Sequence, residues 1–392
     1  MHPGKTALNR RGFLRTAMVG GGVAALSGAL WQQAFADPAQ PGASPYGPLG
    51  APDANGIELP AGFSSRVIAR STNFVPGTLY LWHPAPDGGA CFATGDGGWI
   101  YVSNSEVPLI GGASAVRFNA QGGIASAYRI LSGTNVNCAG GATPWGTWLS
   151  CEEIARGYVY ETFPAGGTSA QRRPAMGRFK HEAAACDPDR RVIYLTEDEP
   201  DGCFYRFRPT TWGDLSQGTL EVLTGLSGTS GPVGWQPIPD PDGSPATRGQ
   251  VAAAAHFDGG EGCFYTNGIC YFTTKGDNRV WAYDAVNQTI DLAYDDSLVS
   301  GGAAPLTGVD NITGARSGDL FIAEDGGNME INVITPNDVV APFLRINGQV
   351  SSEITGPAFS PNGQRLYFSS QRGTSNNVFA GITYEVTGPF RT

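Results

Sequence analysis

Trp148-Leu149-Ser150-Cys151-Glu152-Glu153 decides the fold, because the chain repeats its pattern five more times. An aromatic residue opens a short apolar strand, and small polar or acidic residues close it. The pattern recurs as Tyr101-Val102-Ser103-Asn104-Ser105-Glu106, Tyr194-Leu195-Thr196-Glu197-Asp198-Glu199 and Tyr271-Phe272-Thr273-Thr274-Lys275-Gly276-Asp277. It returns twice more, as Phe321-Ile322-Ala323-Glu324-Asp325-Gly326 and Tyr367-Phe368-Ser369-Ser370-Gln371-Arg372. The first aromatics stand 47, 46, 77, 50 and 46 residues apart. Repeats at such a period mark propeller blades. Turns such as Asp187-Pro188-Asp189 precede several units, and aromatic-rich runs such as Val280-Trp281-Ala282-Tyr283 follow them. Turn, strand, polar loop and strand form a blade meander. The pattern predicts an all-β, six-bladed β-propeller over residues 57–392, with the 77-residue step explained by an insertion around 209–249. Ring closure would pair a strand near Phe63 to Ala69 with the C-terminal strands. A pair of β-sandwiches is the competing architecture.

Composition agrees. The 392 residues include 56 Gly and 28 Pro, which suits short strands and tight turns. No helical periodicity is sustained past the N-terminal segment. Residues 37–56 are rich in Pro, Gly and Ala and are expected to form an extended arm. Past residue 36 the chain holds 21 basic and 35 acidic residues, a net charge of −14. So acidic a surface argues against a nucleic-acid partner and favours bound cations. Past the first 36 residues histidine occurs only at His83, His181 and His256. A His-rich zinc or dinuclear site is therefore disfavoured, and no Gly-x-Ser-x-Gly elbow is present. The seven cysteines are an odd number, and none forms a Cys-x-x-Cys pair. Cys263 and Cys270 flank a hairpin signal at Asn267-Gly268, so a bridge across it is one possibility.

In a propeller, equivalent loops gather at one mouth of the central channel. The strand ends would bring Glu106, Glu152, Glu153, Glu197, Asp198, Lys275, Asp277, Glu324 and Asp325 there. Carboxylates so crowded raise one another's pKa, and cations resolve the conflict. The stretch Asn137 to Glu153 adds a thiol, Cys138, in a Gly-rich turn leading through a short strand to a carboxylate pair. A thiolate and a carboxylate in one small volume suit a metal ion. Glu182 is followed by an apolar run, and Glu261 sits in a glycine-rich, bendable segment. Asp310, Asn311, Glu324 and Asp325 are further ligand candidates. His181 reads as a satisfied core histidine, or else as a partner that orients Glu182.

Two blocks carry a resemblance. Asn137-Cys138-Ala139-Gly140-Gly141 leading into Trp145-Gly146-Thr147-Trp148-Leu149 and Cys151-Glu152-Glu153 is one. Gly177-Arg178-Phe179-Lys180-His181-Glu182 is the other. Together they resemble the signatures of the PhoX-type secreted alkaline phosphatases, and similar material runs from about Gly50 to the C-terminus. The resemblance implies a six-bladed propeller with an iron and calcium cluster that hydrolyses small phosphate monoesters. It implies metal-ligating roles for Cys138, Glu153, Glu182 and Glu261. The soft thiolate with carboxylates would suit ferric iron, and an all-oxygen shell calcium. In the family an arginine that contacts phosphate stands two residues before the glutamate corresponding to Glu261; here that position is Gly259. Lys275 or Arg316 would then supply the catalytic cation from another blade, and weak activity is expected. Other calcium-dependent propeller hydrolases, phytase-like or lactonase-like, and a non-catalytic calcium-binding propeller are the alternatives.

Asn9-Arg10-Arg11-Gly12-Phe13-Leu14-Arg15 resembles a twin-arginine export signal. An apolar run from Ala17 to Leu30 follows, short for a stable membrane span, and Ala34-Phe35-Ala36 offers a cleavage site. The expected product is a periplasmic or secreted monomer, delivered by the twin-arginine export machinery. Replacing Arg10 and Arg11 together by Lys should leave uncleaved precursor in the cytoplasm. Fractionation and immunoblotting measure this, and an unchanged periplasmic yield would remove the export argument.

Overall fold

The computed structural model describes residues 37–392; the expected signal peptide, residues 1–36, lies outside the described residues. Six antiparallel sheets stand in a ring. Blade 1 is Pro86–Ala93, Trp99–Ser105, Gly111–Phe118 and Ile124–Thr134. Blade 2 is Asn137–Ala142, Trp148–Glu152, Val159–Thr162 and Gln171–Arg172. Blade 3 is His181–Asp187, Val192–Glu197, Gly202–Thr211 and Asp214–Thr224, and blade 4 is Gly260–Thr266, Ile269–Thr274, Arg279–Asp284 and Thr289–Asp295. Blade 5 is Val309–Gly314, Leu320–Glu324, Glu330–Ile334 and Val339–Ile346. Blade 6 is Ile354–Phe359, Arg365–Ser370, Ile382–Thr387 and, from the start of the chain, Ser64–Arg70. That last strand pairs with Ile382–Thr387 and closes the ring as the sequence predicts. The described residues hold no α-helix, only short 3-10 turns.

The repeated aromatics sit on the second strand of each blade and fill the seams between blades. Tyr101 of blade 1 stacks on Tyr367 of blade 6 at 4.9 Å. Phe204 of blade 3 stacks on Phe272 of blade 4 at 4.2 Å. The apolar clusters follow this plan; one joins Phe321 and Phe343 of blade 5 to Leu366 and Phe368 of blade 6. Each such side chain packs between two sheets, so apolar burial fills the seams, and hydrogen bonds such as that from Trp99 Nε1 to the Tyr367 hydroxyl at 3.0 Å cross them as well.

The structure adds detail to two expectations. The arm, residues 37–56, runs beside blade 5, where Gln40–Pro41 pairs in parallel with Val339–Ile346. Within the expected 209–249 the extra length starts only past Thr224, because Asp214–Thr224 is a regular blade strand paired with Gly202–Thr211. Past it, Gly234–Pro237 adds a fifth strand to blade 3, and Gly231–Pro232 pairs with blade 4. The segment therefore straps two blades together.

Around the axis the six inner strands contact one another in order, and small residues let them approach. A Cβ on Gly141 would lie 2.0 Å from the carbonyl oxygen of Ala184 on the next blade. One on Gly262 would lie 2.6 Å from the backbone nitrogen of Ile312. Gly141→Ala should therefore destabilise the protein by about 3 kcal/mol, as overpacking against fixed backbone does. A urea-unfolding midpoint equal to the wild type's would show that the ring can dilate.

Candidate metal centre

Each inner strand begins at the same mouth of the channel, and each is bulged there. The pairing skips two residues between Pro86 and Gly89, Asn137 and Gly140, His181 and Ala184, Gly260 and Cys263, Val309 and Ile312, and Thr355 and Ala358. A bulge re-aims the unpaired side chain and breaks the alternation of faces. The first skipped residues are Asp87, Cys138, Glu182, Glu261, Asp310 and Gly356. Five ligand-type side chains thus occupy one tier, one per blade. A second tier comes from the residue just past each second strand: Glu106, Glu153, Asp198, Lys275, Asp325 and Gln371.

Three groups could each hold a cation: Asp87, Glu106 and Cys138; Cys138, Glu153 and Glu182; and Glu182, Glu261 and Asp310. Within each group the ligand atoms lie within 4.8 Å of one another. Cys138 and Glu182 belong to two groups each, so the three positions are contiguous. The Cys138 thiol donates to Glu182 Oε1 at 3.2 Å. Burial, and then Glu261, push Glu182 well above the usual carboxylate range. Burial likewise raises Asp87 to about 7 and lifts Glu106 and Asp310. Burial and then Asp87 raise the Cys138 thiol. These groups cannot all ionise together without positive charge beside them.

The fit to metal rests on one further observation. Glu182 Oε2 is buried with no hydrogen-bond partner among the described residues. Such an atom is costly unless something coordinates it. A thiol flanked by carboxylates is a donor set for a transition metal, and the carboxylate-only group suits a hard cation.

Two lysines face the same mouth. Lys275 Nζ lies 2.7 Å from Glu261 Oε1 and 3.5 Å from Asp325. Lys180 Nζ lies 2.8 Å from Glu153 and 2.6 Å from Asp198. Burial works to raise Asp198, but the hydrogen bonds from Lys180 and Glu153 and the charges of Lys180 and Lys275 together outweigh it and hold the carboxyl below its usual value.

Two expected site residues are elsewhere. Glu324 does not join the cluster: its carboxylate accepts from the backbone N–H of Thr307 at 2.9 Å and of Glu330 at 3.1 Å. Glu152 and Glu197 brace the loops of their own blades in the same way. Burial raises Glu324 to about 8. The first acid of each pair is thus a brace, and the second, such as Glu153 or Asp325, turns to the mouth. Arg316 follows the end of its inner strand, at the opposite face of the ring, and donates to the Pro361 carbonyl at 2.7 Å. It supplies no cation to the cluster. Conversely, Asp87 was not singled out from the sequence, nor was the buried Glu353, which pairs with Arg372 at 3.0 Å. His181 is a core residue, its Nε2 3.1 Å from the Gly177 carbonyl oxygen. All seven cysteines are free, although Cys263 and Cys270 bring their sulfurs to 3.3 Å.

Residues 101–293 match the family model of alkaline phosphatase PhoX, across the Cys138, Glu153, Glu182 and Glu261 positions. Over these residues, just under half of the chain, it is similar to the PhoX-type family. No curated protein matches the sequence. Among solved structures, Pseudomonas fluorescens PhoX in complex with vanadate aligns at a TM-score of 0.70 and 18% identity, covering 87% of this chain and 97% of that one. A Bacteroides thetaiotaomicron protein of unknown function aligns at 0.52 and 10% identity, over 83% and 76% of the two chains. At these identities the alignments speak for the propeller fold of this chain.

Glu182→Gln separates charge crowding from simple packing. Without metal the substitution should stabilise the protein by roughly 1–3 kcal/mol, because it removes a buried ionisable group. With metal it should destabilise, because a ligand is lost. Thermal unfolding with and without chelator measures both signs; one sign under both conditions would disconnect Glu182 from any cation.

Proposed function

We propose that the protein is an exported, metal-dependent phosphatase that hydrolyses small phosphate monoesters at this mouth. The observation that carries the proposal is the tier of Asp87, Cys138, Glu182, Glu261 and Asp310, one per blade, in a chain similar to the PhoX-type family. Support comes also from the fold neighbour, a PhoX described in complex with vanadate as a transition-state analogue. Ferric iron beside the Cys138 thiolate and calcium among the carboxylates are the proposed cofactors. Bound there, such ions supply Lewis-acid chemistry to a phosphoryl group.

The chain's own residues have distinct tasks. Cys138, Glu153, Glu182, Glu261, Asp310, Asp87 and Glu106 would hold the cations. Lys275 and Lys180 stand over the cluster with their ammonium groups within reach of solvent, where each can donate to a phosphate oxygen. Neither reproduces the paired donors of a guanidinium, so a modest rate is expected. The position that would carry an arginine, Gly259, has φ +71°. A side chain there is strained by about 1–2 kcal/mol, and its Cβ would lie 3.3 Å from Asp198 Oδ1. The glycine thus holds the turn that brings Lys275 in, its carbonyl accepting from the Lys275 N–H at 2.8 Å.

Metal-loaded protein should hydrolyse a generic aryl phosphate, and Lys275→Met should lower kcat/KM on the order of a hundredfold. Cys138→Ser should bleach any thiolate-to-iron colour in the same preparation. A colourless, metal-free protein with full activity would refute the proposed chemistry.

A further inference from the structure

The mouth has two unlike sides. Lys180 and Lys275 belong to blades 3 and 4. On the opposite side of the ring, the loops of blades 6 and 1 carry exposed apolar side chains. Phe74, Leu79 and Leu81 lie on the connection between those blades, Leu109 and Ile110 on the loop past Glu106, and Phe379 on the loop past Gln371. Each is more than half exposed, with Leu79 at 92% and Leu109 at 77%. Scattered single apolar residues need no explanation, but six in three adjoining loops at a binding mouth do.

The loops form one lip. Phe74 and Leu81 bridge to each other and make the connection a hairpin. Ala85, at its end, donates its N–H to Val378 at 2.6 Å and accepts the N–H of Glu106 at 3.0 Å. Tyr80 reaches blade 1, its hydroxyl 2.7 Å from Ser114 Oγ. The lip is also continuous with the cluster: Gln371 Nε2 donates to Asp87 at 2.6 Å and to Glu106 at 2.5 Å. The arginine of that loop, Arg372, is held by Glu353 and puts no free charge on the lip.

From this polarity we infer that the lip receives the alcohol part of the substrate, and that the preferred substrates are phosphate monoesters of apolar alcohols. The inference rests on the phosphatase reading above. The phosphoryl group lies at the cluster under the two lysines, and the ester oxygen points across the mouth, so the departing alcohol leaves along Leu109, Ile110 and Phe379. Water cleaves the ester to free alcohol and inorganic phosphate, with no further reactant.

The test uses metal-loaded full-length mature protein and a series of straight-chain alkyl phosphates from ethyl to octyl. Each added methylene that reaches the lip should raise kcat/KM by about threefold until the lip is covered. The double substitution Leu109→Ser with Ile110→Ser, and separately Phe379→Ser, should flatten the slope of that series. Because the readout is a ratio within one preparation, partial misfolding does not affect it. A series that is flat in the wild type, or equally steep in both variants, overturns the lip while leaving the phosphatase reading intact. A chain-length effect seen only with esters embedded in phosphatidylcholine vesicles overturns it too, in favour of a membrane-facing surface. Failure to hydrolyse any ester in the series would overturn the phosphatase reading and this inference with it.

Discussion

Buried like charge is the constraint on which the rest of this molecule depends. Five blades each deliver one ligand-type side chain to the same narrow mouth, and burial lifts Asp87, Glu182, Glu261 and Asp310 above the ordinary carboxylate range. A site of this kind has two relaxed conditions. In one, protons occupy the carboxyl groups and the Cys138 thiol; in the other, cations take their place. Fixed charges of the chain meet only part of the demand. Lys275 sits against Glu261, and Lys180 between Glu153 and Asp198, but the Asp87–Glu106 side has neutral donors, the Gln371 amide and the Gly88 N–H. The unneutralised remainder is what a cation would bind.

The scaffold makes this crowding structurally tolerable. Apolar seams hold the inner strands side by side, and the bulges add links between blades: the carbonyls of Cys138, Glu261 and Asp310 accept from Asn104, Thr196 and Thr273 of the preceding blades. The repeated acids Glu152, Glu197 and Glu324 have a different task from their neighbours: they accept backbone N–H groups and lock the loops from which the second tier projects. One acid is consumed in positioning so that the next can face the channel.

The blades were legible because the second strand of each carries an aromatic that must fill a seam, and that demand recurs at a fixed period. The closing strand and the placing of Cys138, Glu153, Glu182, Glu261 and Asp310 at one mouth followed from the same frame and from the family signatures. The rest was hidden for physical reasons. Inner strands are built of Gly, Ala and Pro for close approach, so Pro86-Asp87-Gly88-Gly89 shows no apolar period, and nothing in it marks Asp87 as buried. A bulge shifts a side chain to the other face without leaving a composition mark; only comparison with Gly260-Glu261-Gly262-Cys263 reveals the shared form. Glu324 and Asp325 are adjacent, but successive strand residues point to opposite sides, and only one could face the mouth. Arg316 lies six residues past Asp310, and an extended strand carries those residues roughly 20 Å away to the other face.

The sixth blade breaks the symmetry, and the break has a cause. Its bulge position is Gly356, at φ +60°, where a Cβ would lie 2.6 Å from the carbonyl oxygen of Asp87. Its N–H instead donates to Asn311 at 2.6 Å, tying blade 6 to blade 5. No side chain can enter the first tier there, and the second tier offers Gln371, a neutral group, in place of an acid. The blade's acid, Glu353, comes from the preceding loop and is occupied by Arg372. A ring with six equal ligands would close over its own cations. Five ligand-type side chains and one gap leave the mouth open on the side of blades 6 and 1, beside the apolar loops and across from the lysines. The same close contact that forces a glycine at position 356 therefore gives a symmetric fold a direction of approach.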